Sequence, residues 1–371
     1  MKSMVKKSLI GLGVSAALMG TSIAQAEIKI ALAGPVSGPV AQYGDMQFIG
    51  AEMAIEQINK AGGVNGEKLV GVKYDDACDP KQAVAVANKI VNDGIKFVVG
   101  HLCSSSTQPA SDIYEDEGIV MVTAASTNPD ITLQGYQMIF RTIGLDSLQG
   151  PVAGRFIAEK VKPKNIAVIH DKQQYGEGIA TAVKSTVEKA GYNVVMFEGI
   201  TAGDKDFSAL VAKLKKNNVD FVYYGGYHPE LGLILRQSKE LGLQSQFMGP
   251  EGVGNKDISS IAGPASEGLL VTLPPSFEKD PKNASLVQAF KDKNQDPTGP
   301  FVMPAYSAVQ VMADSMKATG STDSEEVAEY MHKTAFSTPI GNVKFDEKGD
   351  LTSFNFVVYN WHQDGTKSEA K

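Results

Sequence analysis

The chain has 371 residues, of which 35 are basic and 42 acidic, giving a net charge of −7 at pH 7. This acidic balance argues against nucleic acid as a partner, which asks for a basic face. The length accommodates two domains of ordinary size, each with its own core.

Lys2, Lys6 and Lys7 precede an apolar run from Leu9 to Met19, and Ala24-Gln25-Ala26 closes the segment. A basic start, a short apolar core and an A-x-A end form a secretory signal, cut after Ala26. The run is shorter than the roughly 20 residues a spanning helix needs, and no Cys follows it to carry a lipid. The expectation is an exported chain beginning at Glu27. Loss of three lysines takes its net charge from −7 to −10.

From Glu27 onward the pattern alternates. Ile28 to Ala33 is an apolar strand ending at Gly34-Pro35. Ala51, Ala54, Ile55 and Ile58 fall at helical spacing, and Gly62-Gly63 stops that helix. Leu69 to Tyr74 is a strand; Lys81 to Asp93 is a helix, with Val84, Ala87 and Val91 assigned to one face. Phe97 to Val99 is a strand, Ser111 to Glu117 a helix, and Ile119 to Val122 a strand. A second run follows: strand 166–169, helix 178–189, strand 194–197, the helical stripe Phe207, Leu210, Val211 and Leu214, and strand 221–224. Thr272-Leu273-Pro274-Pro275-Ser276 interrupts it. Helices near 286–290 and 305–316 come next, then strand-like segments at 343–345 and 354–359. Apolar strands separated by amphipathic helices indicate parallel sheets covered on both faces.

Two cysteines remain in the exported part, Cys78 and Cys103. An even count in an oxidising compartment fits a disulfide. A metal pair or a catalytic thiol is the alternative, but no C-x-x-C and no further cysteine supports either.

Parallel α/β sheets bind ligands beyond the carboxyl ends of their strands, so the loops there carry the functional signal. One reads His101-Leu102-Cys103-Ser104-Ser105-Ser106-Thr107 and another Thr123-Ala124-Ala125-Ser126-Thr127-Asn128-Pro129. Hydroxyls and free N–H groups at a helix start suit a carboxylate. Taken alone, capping or an ordinary turn explains these loops more economically. Tyr175 and Glu251 lie in later loops of the same kind: Tyr175 either closes over a ligand or packs at a helix start, and Glu251 either neutralises an ammonium or is simply solvated, the commoner fate of a lone loop carboxylate. No G-x-S-x-G, P-loop or H-E-x-x-H occurs, and five scattered histidines show no metal-ligand spacing. Neither an enzyme nor a metal or other cofactor is called for.

Several segments together resemble the periplasmic leucine/isoleucine/valine-binding protein family. They are Gly38-Pro39-Val40-Ala41-Gln42-Tyr43-Gly44-Asp45, Tyr74 to Pro80, His101 to Thr107, Asp171 to Gly178 and Tyr223 to Glu230. The similarity covers essentially the whole chain from Glu27; 275–281 and 320–338 match less well. The resemblance implies a type I periplasmic binding protein: two doubly wound parallel-sheet lobes joined by a three-strand hinge. It implies one lobe from 27–145 plus 276–352 and the other from 146–275 plus 353–371. Ser104 and Thr127 would meet a ligand carboxylate; Glu251, the Ala125 carbonyl and Thr127 would meet its ammonium. Tyr43, Leu102, Cys103, Tyr227 and Phe301 would line the side-chain pocket, Tyr175 would arrive on closure, and Cys78–Cys103 would be a disulfide.

The function implied is capture of branched-chain amino acids in the periplasm by a monomer, and delivery to the membrane permease of an ABC transporter. Two alternatives share the pocket: the ligand-binding component of an amino-acid chemoreceptor system, and a binder of another small amide or aromatic zwitterion.

Overall fold

Short apolar runs become parallel strands and the amphipathic stretches cover them in the computed structural model, which describes residues 27–371. The secretory signal assigned to 1–26 lies outside the described residues.

The first lobe begins with β1 (Glu27–Gly34), α1 (Ala41–Lys60), β2 (Lys68–Asp75), α2 (Pro80–Asn92), β3 (Phe97–Val99), α3 (Ser104–Asp116), β4 (Val120–Thr123) and β5 (Ile139–Arg141). Its sheet has the order β2-β1-β3-β4-β5, parallel throughout. The second lobe follows with α4 (Asp146–Phe156), β6 (Ile166–His170), α5 (Gln174–Lys189), β7 (Val194–Gly199), α6 (Ser208–Lys216), β8 (Phe221–Gly225), α7 (His228–Glu240), β9 (Gln246–Gly249), α8 (Asp257–Ala262) and β10 (Leu269–Leu273).

The chain then returns to the first lobe with α9 (Ala284–Asp292), α10 (Val302–Thr319), α11 (Ser324–Lys333) and the hairpin of β11 (Ala335–Thr338) and β12 (Gly341–Lys344). It ends in the second sheet with β13 (Val357–Trp361) and β14 (Lys367–Glu369), giving the order β14-β13-β10-β9-β8-β6-β7. β13 and β14 are antiparallel to their neighbours, an edge that the βα rhythm does not announce. The chain thus passes between the sheets three times, in the stretches 142–145, 274–276 and 352–356.

Each sheet is buried on both faces, which is why its strands are apolar without alternation. In the first, Ile30, Leu32, Val99 and Val122 pack under α1 and α10, while Ala31, Ala33, Val98 and Met121 pack against α2 and α3. In the second, Val168, Phe221 and Met248 face α4 and α5; Ile169, Val222 and Val271 face the other way, among residues of α6, α7 and α8. Each fully buried aliphatic side chain contributes about 1.5–3 kcal/mol.

Two local readings need correction. The buried stripe of α2 is Ala83, Val86, Ala87 and Ile90, and Val84 faces solvent. α3 starts at Ser104, not Ser111, so the hydroxyl run is the helix's first turn.

Candidate functional site

The turns after β3 and β4 carry the hydroxyl residues. Cys103 caps α3 without any side-chain hydrogen bond, so the Ser104 hydroxyl is not needed at its own helix end. Instead it accepts the Asn128 N–H at 3.4 Å, tying the two turns together. The Thr107 and Ser126 hydroxyls meet at 2.5 Å, and Ser126 also donates to the Leu102 carbonyl at 3.0 Å.

Arg141, fully buried at the end of β5, holds the second turn from below. Its guanidinium donates to the carbonyls of Ser126 (2.8 Å) and Asn128 (3.3 Å) and to the Thr132 hydroxyl (2.7 Å). Its Nε lies 2.6 Å from an Asp350 carboxylate oxygen, a close ion pair out of line for a hydrogen bond.

Glu251 opens a single 3₁₀ turn just beyond β9 in the second lobe and is 1% exposed. One carboxylate oxygen accepts from the Thr127 hydroxyl of the first lobe at 3.5 Å. The other accepts from the Gln149 side-chain amide, which also donates to the Thr272 hydroxyl at 2.9 Å. Across the cleft the Tyr43 hydroxyl donates to the Glu251 backbone carbonyl at 3.1 Å. The Gly252 N–H donates to the Tyr175 hydroxyl at 3.0 Å; a β-carbon at 252 would stand 2.8 Å from the tyrosine ring, so only glycine fits beneath it.

An apolar wall closes around this polar centre. Tyr43, Leu102, Cys103, Ala125, Tyr175, Tyr227 and Phe301 belong to one buried cluster drawn from both lobes. Tyr175 and Tyr227 pack at 5.2 Å between ring centres, and Tyr43 meets Phe301 edge-on at 5.3 Å. Cys78 and Cys103 form a disulfide, fastening the loop after β2 to the start of α3.

Burial governs the charges here. It pushes the Glu251 carboxyl up to about 7, against opposing hydrogen bonds from Gln149, Tyr175 and Thr127. Asp146, at the start of α4, is also raised well above the ordinary carboxylate range, by its own burial and by the Glu251 charge. His228 is driven down to about 4 by burial, and its Nδ1 meets the Asn255 amide at 2.8 Å.

His101 superficially resembles a catalytic base: its Nδ1 lies 2.6 Å from Asp76, and its Nε2 lies 2.9 Å from the Tyr114 hydroxyl. All three side chains are buried, so both ring nitrogens are committed inside the fold. Among the described residues no cluster of metal ligands occurs, and no helix is long and apolar enough to cross a membrane.

The structure therefore brings together every residue singled out in the sequence, with Ser104, Ala125 and Thr127 on one side and Glu251, Tyr175 and Tyr227 on the other. A surface cavity of about 490 Å³ lies beside them, between Met46 of α1 and Lys256 and Trp361 of the second lobe. None of the predicted ligand residues lines it. Asp146, Gln149 and Thr272 were missed, because each stands alone in its segment without motif or spacing to mark it.

Two α/β lobes closed over a polar centre fit capture of a small molecule. In sequence, residues 27–366 match the model of a family described as periplasmic binding protein. The chain belongs to that family.

Relatives of this periplasmic binding protein are binding proteins, not enzymes. It is 69% identical over 350 residues, 94% of each chain, to the leucine-, isoleucine-, valine-, threonine-, and alanine-binding protein of Pseudomonas aeruginosa. It is 58% identical to the Leu/Ile/Val-binding protein of Escherichia coli K12, over 98% of this chain and 99% of the relative. Among solved structures it is similar to a branched-chain amino acid transporter substrate binding protein of Streptococcus pneumoniae in complex with isoleucine. There the TM-score is 0.86 and the identity 25%, over 93% of this chain and 99% of the other.

Proposed function

We propose that this periplasmic binding protein captures leucine, isoleucine and valine by closing two lobes around the ligand, and hands them to the permease of an ABC transporter. The observation that carries this reading is the buried Glu251 carboxylate, which faces Thr127 across the meeting line of the lobes inside an apolar and aromatic wall. A zwitterion leaving water needs both charges met, or its burial costs several kcal/mol per ion.

Glu251, the Ala125 carbonyl and the Thr127 hydroxyl take the ammonium; Ser104 and Thr127, with nearby backbone N–H groups, take the carboxylate. Tyr43, Leu102, Cys103, Tyr227 and Phe301 enclose the aliphatic side chain. Tyr175 completes the site from the second lobe. The lobes comprise 27–145 with 276–352 and 146–275 with 353–371, and they rotate about the three connecting stretches. The mature protein is a periplasmic monomer whose leader is cut after Ala26.

Selectivity follows from the wall. One methylene changes binding by about 1–3 kcal/mol, so the three branched-chain ligands are separated modestly. Threonine and alanine, named for the Pseudomonas relative, bind more weakly because they fill less of the wall. Charged side chains are rejected. Competition of each standard amino acid against radiolabelled leucine in equilibrium dialysis tests this reading. Displacement by isoleucine and valine with none by lysine or aspartate is expected, and equal displacement by all would overturn it.

A further inference from the structure

The ammonium site contains more negative charge than one ligand needs. Asp146 is 1% exposed, and neither of its carboxylate oxygens has a hydrogen-bond partner in the shut cleft. The Thr127 hydroxyl approaches it without reaching hydrogen-bond geometry, and its backbone N–H donates to the Thr127 carbonyl at 2.9 Å. Thr127 thus stands between two buried carboxylates, Glu251 on one side and Asp146 on the other. Its single proton satisfies only one of them.

We propose that Asp146 and Glu251 together form a charge gate, so that the lobes stay shut only when a cation neutralises the pair. This rests on the function proposed above. Asp146 is then a positioning residue: it touches no ligand, and its unpaired carboxylate adds its charge to that of Glu251 on the far side of Thr127. The gate also sets specificity, because a ligand lacking the amino group closes the cleft over two unneutralised carboxylates.

The groups facing the pair leave it uncompensated. Arg141 is the cation that acts on Asp146, but it is engaged by Asp350 and by the carbonyls of the second turn. Tyr43, Tyr175, Tyr223 and Tyr227 face the pair from α1, α5, β8 and the turn after it. Burial and the nearby carboxylates hold all four phenols neutral far above physiological pH. Gln149 donates one amide hydrogen and carries no charge.

The sign of the pH effect follows. A carboxyl raised in the closed form binds its proton more tightly there than in an open, hydrated cleft. Closure without ligand is therefore favoured as pH falls from about 7 towards the ordinary carboxylate value of 4.5. An ammonium replaces that proton, so the liganded form stays closed across the same range.

Single-molecule energy transfer reads this directly, with dyes on Leu133→Cys in one lobe and Leu241→Cys in the other, both exposed sites. Leucine defines the closed distance. The ligand-free protein should show a closed population at least about tenfold larger at pH 5 than at pH 8, each pKa unit of differential protonation being a factor of ten. Asp146→Asn should raise the closed population at pH 8 and flatten its pH dependence, with leucine-bound protein unchanged between the two pH values. A ligand-free closed population equal at pH 5 and pH 8 overturns the gate, whether or not the variant folds. So does Asp146→Asn matching the parent at every pH. If leucine shortens the distance while pH and the variant do nothing, the gate fails and the proposed function stands. If leucine leaves the distance unchanged, lobe closure fails and the gate fails with it.

Discussion

Tyr43 of the first lobe and Glu251 of the second are joined by a hydrogen bond from the tyrosine hydroxyl to the glutamate backbone carbonyl, 3.1 Å long. The same turn that presents the Glu251 carboxylate is thus gripped through its backbone, and from the opposite lobe. Such a bond exists only while the cleft is shut, so it favours the closed state.

Tyr43→Phe removes the hydroxyl and keeps the ring against Phe301 and His228. The bond is neutral, so leucine affinity should fall by about 0.5–1.5 kcal/mol, with a faster off-rate. Stopped-flow and calorimetric titration measure both. An unchanged off-rate would mean that Tyr43 contributes no closure energy.

Asp350→Asn should be more damaging, although Asp350 lies far along the chain from the predicted ligand residues. It leaves the Arg141 guanidinium charged and buried, where loss of one partner of an ion pair costs about 3–5 kcal/mol. Arg141 also holds the carbonyls of Ser126 and Asn128, so leucine binding should weaken together with stability. Urea unfolding gives the first quantity and titration the second. Full stability in the variant would contradict the assignment.

Much of this was legible in the sequence. Residues in the turns after β3, β4, β8 and β9 were found because a parallel sheet puts its functional loops at the strand ends. Glu251 drew attention as a carboxylate in such a loop that could neutralise an ammonium, although a lone loop carboxylate is more often solvated. Gln149 and Asp146 were invisible, since they enter the site through the geometry of the first crossing and not through any local pattern. The α2 stripe was misassigned by one step because Val84 and Val86 are equally apolar, and only packing against the sheet distinguishes them. The first turn of α3 resembled a loop because serine and threonine have low helix propensity, which the tertiary setting overrides.

Reduction of the Cys78–Cys103 bridge should lower stability by about 3 kcal/mol in the chain-entropy account, for a loop spanning 25 residues. Because Cys103 also belongs to the apolar wall, leucine affinity should fall slightly while ligand ranking is kept. Thermal unfolding with and without reductant, followed by competition binding, tests both parts. An unchanged melting temperature would refute the first.

Asp171, packed against the turn that carries Tyr227, offers a pH test of stability. Its carboxyl is pushed up to about 7 by burial, with one oxygen accepting the Gln173 N–H at 2.9 Å and the other unpaired. A raised carboxyl stabilises the fold when protonated, so its contribution is lost as pH rises from about 4 through 7. Asp171→Asn should therefore be more stable than the parent at pH 8, by on the order of 2 kcal/mol, and nearly equal to it at pH 4. Denaturation at the two pH values decides; a variant less stable at pH 8 would remove the argument.

The most direct test of the account is calorimetric titration of leucine into protein that has been unfolded, dialysed and refolded, alongside its Glu251→Ala variant. The parent should bind one leucine tightly, and the variant should bind it about 2–5 kcal/mol more weakly because the ammonium loses its buried partner. Absence of binding to the parent, or equal affinity in the two proteins, would contradict the site on which the account is built.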